Sequence, residues 1–195
     1  MLSFKNTSWM AIVLLLQGCS IKEPPLKIYT LSIDGPIKAH GSSLKEKTVK
    51  VIYPQSIKEK IGQEMNFSYS DSEQGSYQNA RWSNNIGQLL QGTFIETLQQ
   101  SGLFRAVLSF ASTAREDFRL ESTIFAFSHR VRGNVSEAVV SIHFSLVDAD
   151  SGKLVKSRRF DYAVPTVTTD AKGYTDATNK ALNQLSVDLV SWLER

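Results

Sequence analysis

The stretch EAVVSIHFSLVDADSGKLVKSRRFDYAV, residues 137–164, decides the predicted fold. Apolar and polar residues alternate through its first half, which is typical of a strand with one buried side. The apolar side carries Val140, Ile142, Phe144 and Leu146. Asp150-Ser151-Gly152 is typical of a hairpin turn, and residues 153–164 are predicted as the returning strand. The stretch therefore predicts a long antiparallel β-hairpin.

Five other segments also predict strands, because they alternate or are rich in β-branched and aromatic residues. They are residues 27–33, 48–54, 64–70, 104–110 and 117–131. Most of these segments follow one another along the chain, and antiparallel sheets commonly have one face on the core and one in solvent. We therefore predict a largely antiparallel sheet.

Two segments repeat apolar residues at helical spacing and are predicted to be long amphipathic helices. The first covers about residues 84–100, with an N-cap available among residues 83–85 and Gly102 just after its end. The second covers about residues 170–193. Together the segments predict an α+β fold, in which two long amphipathic helices pack on one face of a largely antiparallel sheet.

The only cysteine, Cys19, follows an apolar run over residues 9–16. A helix of that length covers about 12 Å, far less than the roughly 30 Å hydrocarbon core of a bilayer. The run has the length of a signal-peptide core, and Lys5 precedes it. Leu16-Gln17-Gly18-Cys19 resembles the bacterial lipobox, in which cleavage between Gly18 and Cys19 leaves an acylated cysteine as the first residue. The alternative is an ordinary secretory signal that ends near a free cysteine.

The lipobox divides the chain into three parts. Residues 1–18 are predicted as a lipoprotein signal peptide, residues 19–26 as a lipidated tether stiffened by two prolines, and residues 27–195 as a single domain. Acyl chains such as palmitate on Cys19 would hold the protein on a membrane. Ser20 favours the outer membrane, because an aspartate at that position favours the inner membrane in well-studied Gram-negative bacteria.

Composition excludes some classes of protein. The chain is 42% hydrophobic, which is typical of a globular protein and not of a disordered one. It carries 22 basic and 19 acidic side chains, a balance too even for a nucleic-acid-binding protein. One cysteine, once acylated, leaves no disulfide, so the domain must rely on its core for stability.

The sequence predicts no catalytic site, metal site or cofactor. His40, His129 and His143 are accompanied by no carboxylate or thiol at metal-ligand spacing. No nucleophile-elbow, phosphate-loop or metalloprotease motif is present. Acidic residues such as Glu116 and Asp117 occur at predicted turns, where capping is a sufficient function. An enzyme whose residues meet only in the fold is left open.

Two further patterns have alternative interpretations. Lysines are frequent between residues 45 and 60, which could favour anionic head groups, but glutamates interrupt them and a solvated face is the simpler interpretation. EMNFS, residues 64–68, matches an extended bacterial N-glycosylation acceptor at Asn66. We predict a strand there, which disfavours glycosylation of Asn66.

Several motifs together resemble one family. They are the lipobox, IYTL (28–31), VKVIYP (49–54), ARWSNNIGQLLQGTFIETLQQSGLF (80–104), FRLESTIFAF (118–127) and VSIHFSLVDADSGKLV (140–155). They resemble the ABC-type transport auxiliary lipoprotein family. That family includes the lipoprotein of paraquat-inducible (Pqi) systems and components of transporters built on mammalian-cell-entry (MCE) domains.

The chain departs from the family pattern at three places. Ile28 stands where the family has the first of two tyrosines, and residues 83–86 read SNNI where the family often has Ala-Glu-Pro-Leu. The family's Tyr-Leu-x-Arg segment is replaced by QSIKEKI, residues 55–61. Contacts that relatives make through those residues are not carried over.

The resemblance implies a non-enzymatic accessory subunit of an MCE-type ABC transport system that moves lipids between the inner and outer membranes. It implies an outer-membrane lipoprotein that faces the periplasm, an MCE-domain periplasmic partner, and a homo-oligomer by analogy. The alternative is a periplasm-facing lipoprotein that assists envelope assembly or binds small ligands without a transporter. Binding of nucleic acid is not expected.

Arg81 and Trp82 precede the first predicted helix. A tryptophan there can brace the helix start through a contact with Ile86, four residues on. The alternative is an anchor for a partner or neighbouring subunit, since tryptophan and arginine are enriched at interface hot spots. We predict the brace and keep the interface as the alternative.

Overall fold

The computed structural model describes residues 24–35, 37–40, 43–57, 61–70 and 72–195. Nine strands and two helices lie in these ranges. The strands are β1 (Lys27–Tyr29), β2 (Thr48–Val51), β3 (Gln55–Ser56), β4 (Glu64–Ser68), β5 (Gln74–Trp82), β6 (Ala106–Ser109), β7 (Phe118–Arg132), β8 (Val135–Asp148) and β9 (Leu154–Pro165). The helices are α1 (Ile86–Ser101) and α2 (Ala171–Glu194).

The predicted hairpin is confirmed as β8 and β9. Val140 lies opposite Tyr162 and Leu146 opposite Lys156, in an antiparallel register. At the turn, Asp148 accepts hydrogen bonds from the backbone N–H and the hydroxyl of Ser151, at 2.8 and 2.6 Å. Gly152 has φ of 68°, a backbone conformation that glycine adopts without steric cost.

The sheet is mixed, which corrects the prediction of a largely antiparallel one. Strand β7 is antiparallel to β8 along one edge, while β2, β3 and β4 lie in turn along its other edge, all parallel to it. Strand β6 continues the sheet beyond β2, and β5 and then β1 continue it beyond β4. Among the described residues, five of the eight strand pairings are parallel.

The long hairpins join strands that are consecutive in sequence, and the short turns between these strands make them antiparallel. The parallel pairs join strands that are distant in sequence, and crossover connections return the chain to the same end of the sheet. A pattern of alternating residues identifies each strand but not its neighbour, so the parallel pairs were outside what alternation could predict. Strands β3 and β5 were not predicted at all.

Both helices pack on one face of the sheet, as predicted. The ring of Phe94 in α1 lies 5.0 Å from that of Phe144 in β8, and Trp192 in α2 lies 6.1 Å from Phe160 in β9. Phe144 and Phe160 also contact each other, at 6.0 Å. The core therefore lies between one helical layer and one sheet face.

Each helix begins at a side-chain cap. The Asn85 carboxamide oxygen accepts from the N–H of Gly87 at 2.9 Å, and Asp170 accepts from the N–H of Gly173 at 2.8 Å. Gly102 ends α1 with φ of 64°. None of the helices in the described ranges is long and apolar enough to cross a membrane.

Candidate functional site

Trp82 is the last residue of β5, three residues before the cap of α1. Its backbone N–H donates to the carbonyl of Gln63 at 2.8 Å, and its register partner in β1 is Tyr29. Only 1% of Trp82 is exposed. Strand pairing on both sides of β5 thus fixes the indole beneath the helical layer.

Two aromatic rings hold the indole in place. Tyr174 of α2 lies 5.6 Å away at 66°, and Phe127 of β7 lies 6.0 Å away at 62°. Both are edge-to-face contacts, each worth about 0.5–1.5 kcal/mol beyond the buried area. The ring contacts that position Trp82 therefore come from α2 and β7, which lie far from it in sequence.

Arg81 points to the opposite side of β5, because neighbouring residues of a strand alternate. It is exposed, and its register partners are Ile28 in β1 and Glu64 in β4. Ile28 is itself 58% exposed. The two residues predicted together are thus split, with Trp82 in the core and Arg81 on the surface. The partner-interface hypothesis stays a prediction, and Arg81 is the member accessible to a partner.

A buried histidine lies next to this aromatic cluster. His129 in β7 is fully buried and stacks on Tyr174, with 5.3 Å between centroids and 4° between planes. The Tyr77 hydroxyl lies 2.7 Å from its Nδ1, and the Ser136 hydroxyl lies 2.9 Å from its Nε2. Both ring nitrogens are therefore occupied, which is the arrangement a neutral imidazole needs in a core.

Burial shifts the pKa values of His129 and Tyr77. Burial lowers the pKa of His129, although the charge of Asp170 opposes this shift. Burial, with smaller contributions from Asp170 and Tyr69, raises the pKa of Tyr77 to about 12. Both side chains are therefore neutral at pH 7, and the cluster has a structural character.

The sequence did not predict this cluster, because a β-bulge in β7 changes which residues face the core. The pairing of β7 with β8 shifts between Ile124 and Ala126, so Phe125 is an extra residue. Before the bulge Leu120 and Ile124 face the core, and after it Phe127 and His129 do. The change from even to odd core positions was visible in the sequence, since Phe127 and His129 alternate with polar residues.

The other predicted residues are spread over the molecule. The Nε2 atom of His143 lies 3.4 Å from the Ser145 hydroxyl, and His40 donates its backbone N–H to Glu194. Asn66 lies in β4, as predicted, and is partly buried. Gly18 and Cys19 lie outside the described residues. No group of three or more histidine, cysteine or acidic side chains that could hold a metal occurs within the described ranges.

Two lysines of the basic stretch, Lys47 and Lys50, form ion pairs within the domain. Lys50 lies 2.6 Å from Glu116, and Lys47 lies 3.2 Å from Asp117. Hydrogen bonds from Lys50 and Arg119 lower the pKa of Glu116. The ammonium groups of these two lysines are therefore paired with carboxylates of the same domain. Lys58 and Lys60 lie outside the described residues.

A further groove lies between residues 37–40 and the end of α2. Its volume is about 500 Å³ and it is open to solvent. Ile37, Val187 and Val190 line it together with charged side chains. Among the residues that line the groove, no set of groups has an evident reaction.

A family model matches residues 37–190, and its description is ABC-type transport auxiliary lipoprotein component. The chain belongs to this family. The match covers the sheet from before β2 through most of α2. The family description makes this protein an auxiliary lipoprotein of transport systems. It confirms the family resemblance, while the relation to MCE-type systems remains a prediction.

Solved structures share the fold of this auxiliary lipoprotein. Protein XCC0632 from Xanthomonas campestris is 21% identical with a TM-score of 0.77, over 86% of this chain and 95% of that one. An uncharacterized protein is 16% identical with a TM-score of 0.66, over 87% and 99%. The hypothetical protein CT253 from Chlamydia trachomatis is 9% identical with a TM-score of 0.51, over 76% and 96%. These likenesses show the fold alone. No curated protein matches the chain in sequence.

Proposed function

We propose that this auxiliary lipoprotein is a non-enzymatic accessory subunit of an MCE-type ABC transport system that moves lipids between the inner and outer membranes. Acyl chains such as palmitate on Cys19 hold it at the outer membrane, where the domain faces the periplasm. The observation that carries the proposal is the family match over residues 37–190, which follows a lipobox in the same chain.

The chemistry of the described side chains supports binding over catalysis. His129, a residue type common in acid–base catalysis, is fully buried with both ring nitrogens bonded to hydroxyls of the core. Glu116 and Asp117 are held by ion pairs and by a backbone N–H. Such residues stabilise the fold and present no proton donor or acceptor to a substrate.

The partner surface that we propose surrounds Arg81. The arginine lies beside the exposed Ile28 of β1, and among the described strands β1 pairs only with β5. A guanidinium next to an exposed aliphatic side chain offers both directional hydrogen bonds and apolar area, which are features of interface hot spots. A periplasmic MCE-domain protein would dock here, and copies of the lipoprotein would form a homo-oligomer around it.

Affinity purification tests the proposal. Full-length tagged protein, solubilised from membranes in mild detergent, is expected to retain an MCE-domain protein identified by mass spectrometry. Arg81→Glu should reduce that recovery at least tenfold, while Arg132→Glu, at the other end of the sheet, should not. Recovery of no MCE protein would contradict the transporter assignment.

Localisation is tested separately. Density-gradient separation of the two membranes should place the protein with outer-membrane markers. Enrichment with inner-membrane markers would contradict the proposed location but not the partner.

A further inference from the structure

Three chain segments converge at one end of the sheet. Arg130 of β7 lies opposite Ser68, the last residue of β4, and Arg132 lies opposite Val135 across the β7–β8 turn. The N–H of Thr166, just after β9, donates to the carbonyl of Ser136 at 2.9 Å. The β4–β5 turn, the β7–β8 turn and the β9–α2 segment therefore share one end of the domain, which we call the tip end.

Each of these segments exposes one apolar side chain at the tip end. Val167 is 86% exposed, Tyr69 is 51% exposed and Val135 is 50% exposed. Contacts within the domain hold these segments in place. Tyr69 packs on the ring of Phe67 at 5.1 Å, and the hydroxyls of Ser136 and Thr166 lie 2.6 Å apart. The fold thus presents three apolar side chains to solvent on supported turns.

The predicted tether enters at the same end. Pro24 and Pro25 line a groove with Tyr77 and Gln78 of β5, just before β1 runs parallel to that strand. Pro24 lies five positions after Cys19 along the chain. Fully extended, that length of chain spans at most about 18 Å.

The register shows how far the tip end extends beyond Pro24. Tyr77 lies beside Pro24, and Gly75 is two positions nearer to the tip end along β5. Gly75, Phe67 and His129 lie at one level across the sheet, because Gly75 pairs with Phe67 and Phe67 pairs with His129. Arg132 is three positions beyond His129, opposite Val135. Five positions at about 3.3 Å each amount to about 17 Å. A fully extended tether therefore brings an acylated Cys19 only about level with the tips.

We propose that the tip end is a membrane-docking surface, through which Tyr69, Val135 and Val167 contact the lipid head-group region beside the anchor. The inference rests on the acylation of Cys19 in the proposed function. Tyrosine favours the membrane–water interface, and the two valines bury apolar area there. The short tether makes the lipid surface the occupant, because no longer linker separates the tips from the bilayer.

Charge also contributes at the tip end. Arg130 is paired with Glu137 at 2.7 Å, and Lys172 near the start of α2 is paired with Asp176 at 2.6 Å. These ion pairs reduce the attraction of both cations to anionic lipids, whereas Arg132, opposite Val135, is exposed at the tips. Apolar contact by the three tips fixes the orientation of the domain on the membrane.

Site-directed fluorescence tests the orientation in the full acylated protein. Acylation blocks the single native cysteine, so Val167→Cys and Val135→Cys each create one free thiol for an environment-sensitive probe. Matched controls are Leu154→Cys at the opposite end of the hairpin and Val187→Cys in α2, which replace side chains 59% and 52% exposed. Each protein is reconstituted in vesicles of phosphatidylethanolamine and phosphatidylglycerol.

We expect spin-labelled lipid to quench the probes at 167 and 135, and aqueous iodide to quench those at 154 and 187. Tip probes as accessible to iodide as the controls would overturn the inference. So would tip probes that become shielded only when a membrane partner protein is added. Fatty-acid labelling of the same samples separates the two proposals: an acylated protein with tip probes in water overturns docking alone, whereas an unacylated wild type overturns the anchor as well.

Discussion

The ring of Trp82, at the end of β5, meets the ring of Tyr174 in α2 edge-on, with 5.6 Å between centroids. This contact joins the residue that precedes the first helix to the second helix. Tyr174 also stacks on His129, so one tyrosine connects the indole to the buried polar cluster. The stability of the helical layer should therefore depend on Trp82.

Replacement of Trp82 by alanine should destabilise the protein strongly. The change empties a fully buried aromatic site, which typically costs about 3–5 kcal/mol in the free energy of unfolding. Chemical denaturation measures this cost. Arg81→Ala, one residue away and exposed, is the matched control and should change stability by no more than about 0.5 kcal/mol. A Trp82→Ala protein as stable as the wild type would contradict the bracing function.

Lys156 should stabilise the end of α2. Its ammonium, on β9, donates to the carbonyls of Trp192 and Leu193 at 3.0 and 2.8 Å, where the helix leaves acceptors unpaired. Lys156→Met keeps the aliphatic stem but removes both bonds, and we expect a loss of about 1–3 kcal/mol. Lys153→Met, at the exposed hairpin turn, is the control. Equal denaturation midpoints for the two variants would show that the bonds contribute nothing.

Stability should fall when the pH drops below about 6.5, the ordinary pKa of histidine. Burial lowers the pKa of His129 in the folded protein, so the unfolded state binds the proton first. The stabilisation is complete above pH 6.5 and decreases as the pH falls towards the folded-state pKa, by at most about 1.4 kcal/mol per pH unit. The carboxylates with lowered pKa, Glu116, Asp117, Asp148 and Asp170, lose their contribution only at lower pH.

Denaturant titrations at pH 7.5 and 5.0 measure this dependence. The wild type and His143→Gln should both lose stability on acidification, whereas His129→Gln should lose clearly less. A wild-type free energy of unfolding that is constant between these pH values would refute the prediction.

Cys19→Ser should abolish membrane attachment through acyl chains while the domain stays folded. The predicted lipobox would place the acyl acceptor at Cys19, and the apolar run before it is too short to span a bilayer. Metabolic labelling with a radioactive fatty acid, followed by fractionation, measures both effects. A mutant that still incorporates the label, or a wild type that never does, would contradict the prediction.

The sequence by itself determined the elements whose evidence is local. Alternation over residues 137–164 predicted the β8–β9 hairpin, and helical spacing predicted α1 and α2 to within about two residues at their boundaries. Short motifs also identified the family. Each of these signals lies within a few tens of residues, because turns, caps and amphipathic faces are encoded by neighbouring side chains.

The tertiary structure alone decided the rest. Strand β5 has mostly polar residues and little buried area, so backbone bonds to β4 and β1 define it, and backbone bonds leave no side-chain pattern in a sequence. The parallel neighbours of β7 are also strands distant in sequence, so only the tertiary structure determines which strands they are. The bulge at Phe125 turned His129 inward, and two distant elements enclosed it with Tyr77 and Tyr174. Local alternation fixes which residues share a face, but only the packed chain fixes what that face meets.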